Sequence, residues 1–270
     1  MWPSELRRLG LRPRKGLGQH FLLDRRYLSR IVAAADLSSE DTVVEVGAGH
    51  GLLTEALASR SGRVIAVEVD PDLCAYLRSR LAHLDNVAVV EGDILTIPQK
   101  DILGGAERYL LLGNLPFNIA TAVVRRFLEA APPPQRLVVT VQREVAGSMA
   151  AAPGKMGLLS VAVQFYGQPK IMLTIPPRAF YPPPKVTAAL VRIDVRPRPA
   201  VEVDDREGFF QVVRAGFAAP RKQLRNALAL GLRVTPLEAE ALLRTAGLDP
   251  TSRAQELTLE QWAQLYRAWR

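Results

Sequence analysis

The stretch VVEVGAGHGLLT at residues 43–54 decides the fold that this sequence predicts. An apolar run up to Val46 ends in a turn that holds Gly47, Gly49 and Gly51, and an amphipathic run begins at Leu52. Glycine adopts positive φ at little cost and lets the backbone come close to a ligand. The order strand, glycine-rich turn, helix is therefore typical of a ligand-binding α/β unit.

Three further apolar runs deliver polar residues at their carboxyl ends. Glu68 ends the run that starts at residue 64, Asp93 follows the run at residues 87–90, and Asn114 follows the run at residues 109–112. Ligands of open α/β sheets bind at this edge. Glu68 also stands about twenty residues after Gly47, where a carboxylate reaches ribose hydroxyls. Leu52 replaces the third glycine of the dinucleotide fingerprint, which disfavours a nicotinamide-dependent dehydrogenase.

The hydrophobic patterns predict an α/β fold with a small all-α domain after it. Five parallel strands alternate with helices, at residues 42–46, 64–68, 87–91, 109–112 and 137–141. A proline-rich segment too short for a crossover helix separates residues 171–175 from 186–193, so these two strands should pair antiparallel. The result is a Rossmann-like, methyltransferase-type sheet closed by an antiparallel hairpin. Residues 157–166 should form a buried helix, although their apolar run would also fit a strand. Four short helices are expected at residues 206–218, 221–230, 236–246 and 258–268.

Composition and charge limit the classes of function. The 270 residues include one cysteine and three histidines, so we expect neither a disulfide framework nor a metal site. Lys and Arg outnumber Asp and Glu by 8 to 3 in residues 1–39 and by 12 to 9 in residues 196–270, whereas residues 40–195 hold 15 of each. Basic ends on a neutral body fit a polyanionic partner, although a generally basic proteome would leave the same excess. Without an apolar stretch of transmembrane length or a secretory signal, we expect a cytoplasmic monomer with no membrane partner.

The segment Asn114-Leu115-Pro116-Phe117 predicts chemistry on an adenine amino group. The N6 atom of adenine is a poor nucleophile because its lone pair is delocalised into the ring. The side-chain oxygen of Asn114 and the carbonyl of Leu115 can accept both N–H groups and favour a pyramidal nitrogen. Pro116 stiffens the loop, and Phe117 offers a face on which a splayed-out base can stack.

Eight motifs together resemble a known family. They are GQHFLLD (18–24), VEVGAGHGLLT (44–54), AVEVD (66–70), EGDIL (91–95), GNLPFNIA (113–120), VQREVA (141–146), AFYPPPKV (179–186) and FAAPRKQLRNAL (217–228). The sequence resembles the ribosomal RNA adenine N6,N6-dimethyltransferases, which modify adjacent adenosines near the 3′ end of small-subunit (16S) RNA. That resemblance implies an S-adenosylmethionine-dependent enzyme, with the assembling 30S subunit as its partner and a role in subunit biogenesis.

The resemblance also implies roles for individual residues. It implies that Glu68 binds the ribose hydroxyls, that Asp93 binds the adenine amino group, and that Phe117 and Phe180 sandwich the target base. His20 stands where Asn is common in the family, and Phe117 where Tyr is common. The implied cofactor-binding set is His20, Leu22, Gly47, Ala48, Gly49, Glu68, Val69, Asp93, Ile94 and Asn114. The implied catalytic set is Asn114, Leu115, Pro116, Phe117 and Phe180.

The predicted organisation has three parts. Residues 1–18 form a mobile basic arm, residues 19–196 the S-adenosylmethionine-dependent methyltransferase domain, and residues 200–270 a helical RNA-binding domain. A helix that starts after Pro220 would bring Arg221, Lys222 and Arg225 within one turn to bind phosphates.

Other functions remain open at this point. One is a large-subunit (23S) RNA adenine methyltransferase of the antibiotic-resistance type, which shares the cofactor motifs. Another is an assembly factor that binds RNA without methylating it. A DNA adenine methyltransferase is less favoured, because no separate base-reading domain is apparent.

Overall fold

A computed structural model describes residues 4–270, without the side chains of residues 5 and 6. The helices are α1 (Ser4–Arg8), α2 (Arg25–Ala35), α3 (Leu52–Ala58), α4 (Pro71–Arg80), α5 (Gln99–Leu103), α6 (Ala120–Leu128), α7 (Arg143–Met149), α8 (Leu158–Tyr166), α9 (Arg206–Gly216), α10 (Leu224–Leu232), α11 (Pro236–Thr245) and α12 (Leu259–Trp269). The strands are β1 (Phe21–Leu22), β2 (Thr42–Val46), β3 (Arg63–Glu68), β4 (Val87–Glu91), β5 (Leu110–Asn114), β6 (Arg136–Gln142), β7 (Gly167–Ile175), β8 (Phe180–Tyr181) and β9 (Ala188–Val195). Within residues 4–270 no helix is long and apolar enough to cross a bilayer.

The main sheet has seven strands in the order β4-β3-β2-β5-β6-β9-β7. The first five are parallel, with Val44 of β2 between Ile65 of β3 and Leu111 of β5. Strand β9 runs antiparallel to β6 and forms the terminal hairpin with β7. The predicted methyltransferase-type α/β sheet is therefore confirmed. Because the chain moves outward from β2 to β4 and then returns to β5, the strand order reverses beside β2, where open α/β sheets bind ligands.

Local sequence explains most element boundaries. The residues of β2 and β3 are almost all buried, as expected for parallel strands covered by helices on both faces. Helix α4 begins as predicted, because the Asp70 side chain accepts a hydrogen bond from the Asp72 N–H and Pro71 occupies the first helical position. Strand β5 runs further than expected and ends at Asn114 itself.

Several elements differ from the sequence-based expectation, among them the short helix α1 within the predicted arm. A two-stranded antiparallel ribbon of β1 and β8 was not predicted, and it pairs Phe21 with Tyr181 and Leu22 with Phe180. The short helix α5 was also not predicted. Helix α10 begins at Leu224 rather than at residue 221, because Lys222 N–H closes a turn on the Ala219 carbonyl before the helix starts.

The described chain forms two compact units. The first contains residues 4–146 and 169–195, and the second contains residues 147–168 and 196–270. The second unit thus takes residues 147–168 from within the range 19–196 that the sequence assigned to one domain. The reason is the apolar helix α8, whose Phe165 ring stacks on Phe209 of α9 with ring centroids 5.1 Å apart. A core with Trp262 and Tyr266 of α12 completes this helical unit.

A glycine packed directly against the backbone of the neighbouring strand yields a stability prediction. A Cβ atom on Gly113 of β5 would lie 2.4 Å from the Val46 carbonyl oxygen, so Gly113→Ala must push β2 and β5 apart. We expect a loss of about 1–3 kcal/mol or more in the free energy of unfolding, as for an overpacked core. Thermal and denaturant unfolding measure it. Gly147→Ala is the control, since nothing lies within 4 Å of its Cβ position in α7. Equal stability of Gly113→Ala and wild type would contradict this packing.

Candidate functional site

A cavity lies at the carboxyl ends of the central strands, inside the first unit. Its wall combines the ends of β2, β3 and β5, the loop after β4, and a segment that precedes β1. The lining residues are Leu17, Gly18, Gln19, His20, Phe21, Val46, Gly47, Val67, Glu68, Val69, Gly92, Asp93, Ile94, Asn114, Leu115, Pro116, Phe117 and Ile119. Four loops that the sequence singled out separately therefore border one space.

The glycine-rich turn is fastened to the end of β3 by the buried carboxylate of Glu68. One of its oxygens accepts a hydrogen bond from the Gly49 N–H at 2.9 Å. The other accepts from the N–H groups of Val69 at 3.0 Å and Asp70 at 3.1 Å. Gly47 and Gly49 have φ of 72° and 59°, which favours glycine at both positions. Burial raises the pKa of Glu68, and the three N–H donors oppose that rise.

The loop after β4 carries Asp93 into the cavity wall as an exposed carboxylate. One Asp93 oxygen accepts from the Leu95 N–H at 2.9 Å, and the Asp93 carbonyl accepts from Ile97 N–H at 3.0 Å. These bonds close the loop into a single turn. The turn is attached to β3, because Gly92 N–H donates to the Glu68 carbonyl at 2.8 Å.

The segment before α2 covers the turn. Phe21 is buried, and its ring lies only 2.8 Å from the position of a Cβ atom on Gly49, so the ring and the turn fit only because Gly49 has no side chain. Pairing of β1 with β8 holds this segment in place, together with a hydrogen bond from Leu23 N–H to the Ala179 carbonyl at 3.0 Å. The His20 ring bonds the Pro182 carbonyl through Nδ1 at 2.7 Å.

Asn114 stands at the centre of the wall with a fixed orientation. Its Nδ2 donates to the His20 carbonyl at 2.6 Å. A carbonyl only accepts, so the amide nitrogen must face His20 and the amide oxygen must face away from it. That oxygen, Oδ1, is buried and has no hydrogen-bond partner. A buried acceptor without a partner is costly, and at a cavity wall it is a place for a ligand donor.

The two aromatic rings expected to sandwich the target base, Phe117 and Phe180, have different positions. Phe117 is half-buried, and the His20 ring stacks on it with centroids 5.8 Å apart and planes 29° apart. Phe180 is buried in the core around Leu22 and Ala179 and does not line the cavity. Pairing of β8 with β1 accounts for this position. The structure therefore does not place Phe117 and Phe180 on two sides of a base-sized gap in the cavity.

Most of the residues implied by the resemblance come together. His20, Gly47, Glu68, Val69, Asp93, Ile94 and Asn114 line the cavity with Leu115, Pro116 and Phe117. Leu22, Ala48 and Gly49 do not line it; they support the wall from behind. Sequence reasoning missed Gln19, whose Nε2 donates to an Asp70 oxygen at 3.3 Å. The available sequence signal was that Gln19 directly precedes His20, a residue that the resemblance already placed at the cofactor. No group of His, Cys, Asp or Glu placed to hold a metal occurs among residues 4–270.

The basic N-terminal arm contacts the first unit through Arg14. Residues 1–3 of the predicted arm lie outside the described part of the chain. Arg14 pairs with Asp70 at 3.1 Å and with Asp72 at 2.5 Å, at the start of α4. The acids that begin α4 thus neutralise Arg14, and the mobility expected for residues 1–18 stays a prediction.

The basic residues of the second unit differ in their surroundings. Arg221 and Lys222 are exposed and lie in the turn before α10. Arg225 lies inside α10 and pairs with Glu240 of α11 at 3.1 Å. The three side chains are thus not equivalent, and Arg225 is the one whose charge is already compensated.

Glu45 of β2 is a second buried carboxyl near Glu68. It is 1% exposed, and its Oε2 has no hydrogen-bond partner. Burial, with the nearby charge of Glu68 acting in the same direction, raises the pKa of Glu45 to about 8. Two neighbouring buried carboxyls do not both ionise readily. The surroundings of Glu45 therefore favour its protonated form.

Comparison with known proteins finds one family. A family model described as ribosomal RNA adenine dimethylase matches residues 10–269. Proteins named ribosomal RNA small subunit methyltransferase A are similar: one from Dehalococcoides mccartyi is 46% identical over 94% of this chain and 88% of its own length. Another, from Pelotomaculum thermopropionicum, is 42% identical over 96% and 92%. The solved structure of the 23S rRNA methyltransferase ErmE is similar with a TM-score of 0.72 at 31% identity, covering 92% of this chain and 98% of that one.

The protonated Glu45 yields a pH-dependent prediction. Since the folded-state pKa of Glu45 lies above its ordinary 4.5, its contribution to stability is complete below about pH 4.5 and is lost as the pH rises towards 8. Glu45→Gln keeps the neutral shape and does not titrate. We therefore compare the melting temperature of Glu45→Gln with that of the wild type at each pH. The difference, variant minus wild type, should be at least about 2 °C larger at pH 8 than at pH 5.5. Thermal unfolding at both pH values tests this, with the exposed Glu107→Gln as control. Parallel pH profiles for Glu45→Gln and wild type would contradict the assignment.

Proposed function

The chain belongs to the ribosomal RNA adenine dimethylase family, and on that premise we propose that it dimethylates N6 of two adjacent adenosines near the 3′ end of small-subunit (16S) ribosomal RNA. The substrate is RNA of the assembling 30S subunit in the cytoplasm, and the protein acts as a monomer. The observation that carries this proposal is the unpartnered, buried Oδ1 of Asn114 at the cavity wall. An exocyclic amino group is the donor that such an acceptor fits.

The cavity fits S-adenosylmethionine as the methyl donor, which supplies an electrophilic methyl group on a sulfonium. Glu68 accepts three backbone hydrogen bonds, and a carboxylate has about four lone-pair positions, so it retains capacity for a ribose hydroxyl. Asp93 offers the oxygen that does not bond Leu95 N–H to an adenine amino group. Val69 and Ile94 provide apolar contact, and Gly47 allows close approach of the backbone.

Asn114 activates the target nitrogen because its Oδ1 accepts a hydrogen bond from one N6–H group. Its Nδ2 is held by the His20 carbonyl, so Oδ1 is already aimed when the base arrives. The Leu115 carbonyl is the second acceptor that we propose. Two acceptors draw the N6–H bonds out of the ring plane, and the lone pair then faces the methyl donor. This mechanism relies on positioning and electrostatics and needs no strong base.

Phe117 holds the target base by stacking. It lies in the same wall as Asn114 and is half-buried, so a flipped-out adenine that meets Asn114 also meets this ring. The His20 ring already stacks on Phe117 and orders it. Phe180 supports the site from the core through β8, and we propose no direct stacking for it.

Arg221 and Lys222 form the proposed phosphate contacts of the second unit. Both are exposed, and no acidic partner is found for either within the described chain, in contrast to Arg225 with Glu240. Backbone phosphates are bound mainly by such unpaired cations. We propose that Arg225 orients this turn while Arg221 and Lys222 bind RNA.

The large-subunit alternative has one supporting observation, the similarity to the 23S rRNA methyltransferase ErmE at 31% identity. The relatives named small subunit methyltransferase A reach 46% identity, which favours the small subunit. Methylation of purified small- and large-subunit particles, followed by mapping of the modified adenosines, distinguishes the two. Modification confined to the large subunit would reject the proposal.

The central prediction concerns Asn114→Ala. It removes the aimed acceptor, so we expect single-turnover methylation at saturating S-adenosylmethionine to slow about 10²-fold, comparable to losing one oxyanion-hole donor. After one transfer N6 keeps a single N–H, so only one of the two acceptors still acts. The ratio of mono- to dimethylated adenosine should therefore change as well, which mass spectrometry of digested RNA measures.

Asn118→Ala is the matched control, because Asn118 is an exposed amide just beyond the same loop. It should keep both the rate and the product ratio. A wild-type rate and product ratio for Asn114→Ala would exclude the proposed mechanism.

A separate prediction concerns RNA binding. Reversal of both charges in Arg221→Glu/Lys222→Glu should weaken RNA binding. The negative slope of the logarithm of the association constant against log salt should become shallower by about 2, one for each phosphate contact. Calorimetric affinity for S-adenosylmethionine should stay the same. Arg225→Ala should change the salt slope less, because Glu240 already compensates Arg225. An unchanged slope in the double variant would reject these contacts.

A further inference from the structure

Arg126 is a half-buried cation close to the cavity that the proposed chemistry does not use. It lies in α6, the helix that follows the Asn114–Phe117 segment. Its Nη1 donates to the carbonyl of Ile94, and its Nη2 donates to the carbonyl of Ile97. The guanidinium also lies over the ring of Phe127, 5.7 Å from its centroid. Both terminal nitrogens of the guanidinium therefore donate a hydrogen bond to the same loop.

That loop is the single turn that carries Asp93. Its internal hydrogen bonds use the N–H groups of Leu95 and Ile97, both of which bond to Asp93. The carbonyls of Ile94 and Ile97 face the other way and are the atoms that Arg126 binds. The turn is also held at its start, where Gly92 N–H donates to the Glu68 carbonyl at 2.8 Å, so Arg126 is a second attachment on the far side of Asp93.

Arg126 consequently connects two walls of the cavity. Helix α6 begins at Ala120, and its capping residue Ile119 lines the cavity and donates its N–H to the Pro116 carbonyl. Through the same helix, Arg126 reaches the loop of Asp93. The guanidinium fixes the loop relative to the segment on which the target base is expected to bind.

We propose that Arg126 is a positioning residue for the adenine end of the cofactor, acting through the Asp93 loop. This inference rests on the proposed function of the cavity and adds a residue to it. Arg126 does not line the cavity, so it has no direct part in the transfer. A planar guanidinium spans two carbonyls at once, whereas a lysine ammonium on its flexible stem is a point charge.

An RNA-binding role for Arg126 fits the structure less well. Two of the five N–H donors of the guanidinium already bond backbone carbonyls, and the side chain is half-buried, so less of it is open to a phosphate than for an exposed arginine. Its neighbour Arg125 is exposed and pairs with Glu129 one turn further along the helix at 3.1 Å. Arg125 therefore provides a matched control in the same helix with the same charge.

The test compares Arg126→Lys, Arg126→Gln and Arg125→Gln with the wild type. For Arg126→Gln we expect the dissociation constant of S-adenosylmethionine, measured by calorimetry, to rise about tenfold or more, the loss expected for charged hydrogen bonds. Arg126→Lys should fall between Gln and wild type. The KM for S-adenosylmethionine should rise in parallel, while kcat at saturation stays within about twofold and the product ratio is unchanged. Arg125→Gln should bind like the wild type.

Each outcome decides the inference. Unchanged affinity in both Arg126 variants overturns it, as does a kcat that falls as far as kcat/KM. A reduced salt slope for RNA binding with intact cofactor affinity would assign Arg126 to RNA instead. If Arg126→Gln melts too low to be measured, the affinity of Arg126→Lys alone decides. Failure of the wild type to bind S-adenosylmethionine would refute the proposed function, a result distinct from any of these.

Discussion

The carboxylate of Glu68 is the point on which the site depends. It is buried at the end of β3 and accepts N–H groups from the glycine turn after β2 and from the start of α4. Without it, the buried N–H groups of Gly49 and Asp70 would lack a partner, and each such loss costs about 1–3 kcal/mol. The same carboxylate therefore gives the turn its shape and gives the cavity its polar centre. We propose that Glu68 also binds a ribose hydroxyl, so its replacement would affect folding and binding together.

The covering segment of residues 17–23 depends on that turn in its own way. Phe21 packs where a Cβ on Gly49 would stand, and His20 then presents its carbonyl to Asn114. The orientation of the Asn114 amide is thus a consequence of a glycine more than sixty residues away in sequence. Ribbon pairing of β1 with β8 completes this chain of contacts. An aimed acceptor arises here from packing rather than from the side chain itself.

Sequence predicted the parts of this arrangement that are local. Glu68, Asp93 and Asn114 each end or follow a periodic apolar run, and parallel strands bring their carboxyl ends to one edge. The ribbon of β1 and β8 could not be predicted, because two-residue strands carry no periodicity and the two strands lie far apart in sequence. The same holds for the bond of His20 to the Pro182 carbonyl beside the ribbon. The stacking expected for Phe180 stays a prediction; its place in β8 and in the core could not be inferred for the same reason. Arg225 could not be recognised as paired, since Glu240 lies on a different helix.

The division of charge between Glu45 and Glu68 follows from their surroundings and bears on the cofactor. Three N–H donors favour the ionised form of Glu68, while Glu45 is 1% exposed and has an oxygen without a hydrogen-bond partner, so burial favours its neutral form. The pair then carries one negative charge rather than two. Under the proposed function a single negative charge suits a cationic sulfonium ligand, whereas a second would strain the turn by repulsion between buried carboxylates. A neutral Glu45 therefore allows a charged Glu68 to lie this deep in the sheet.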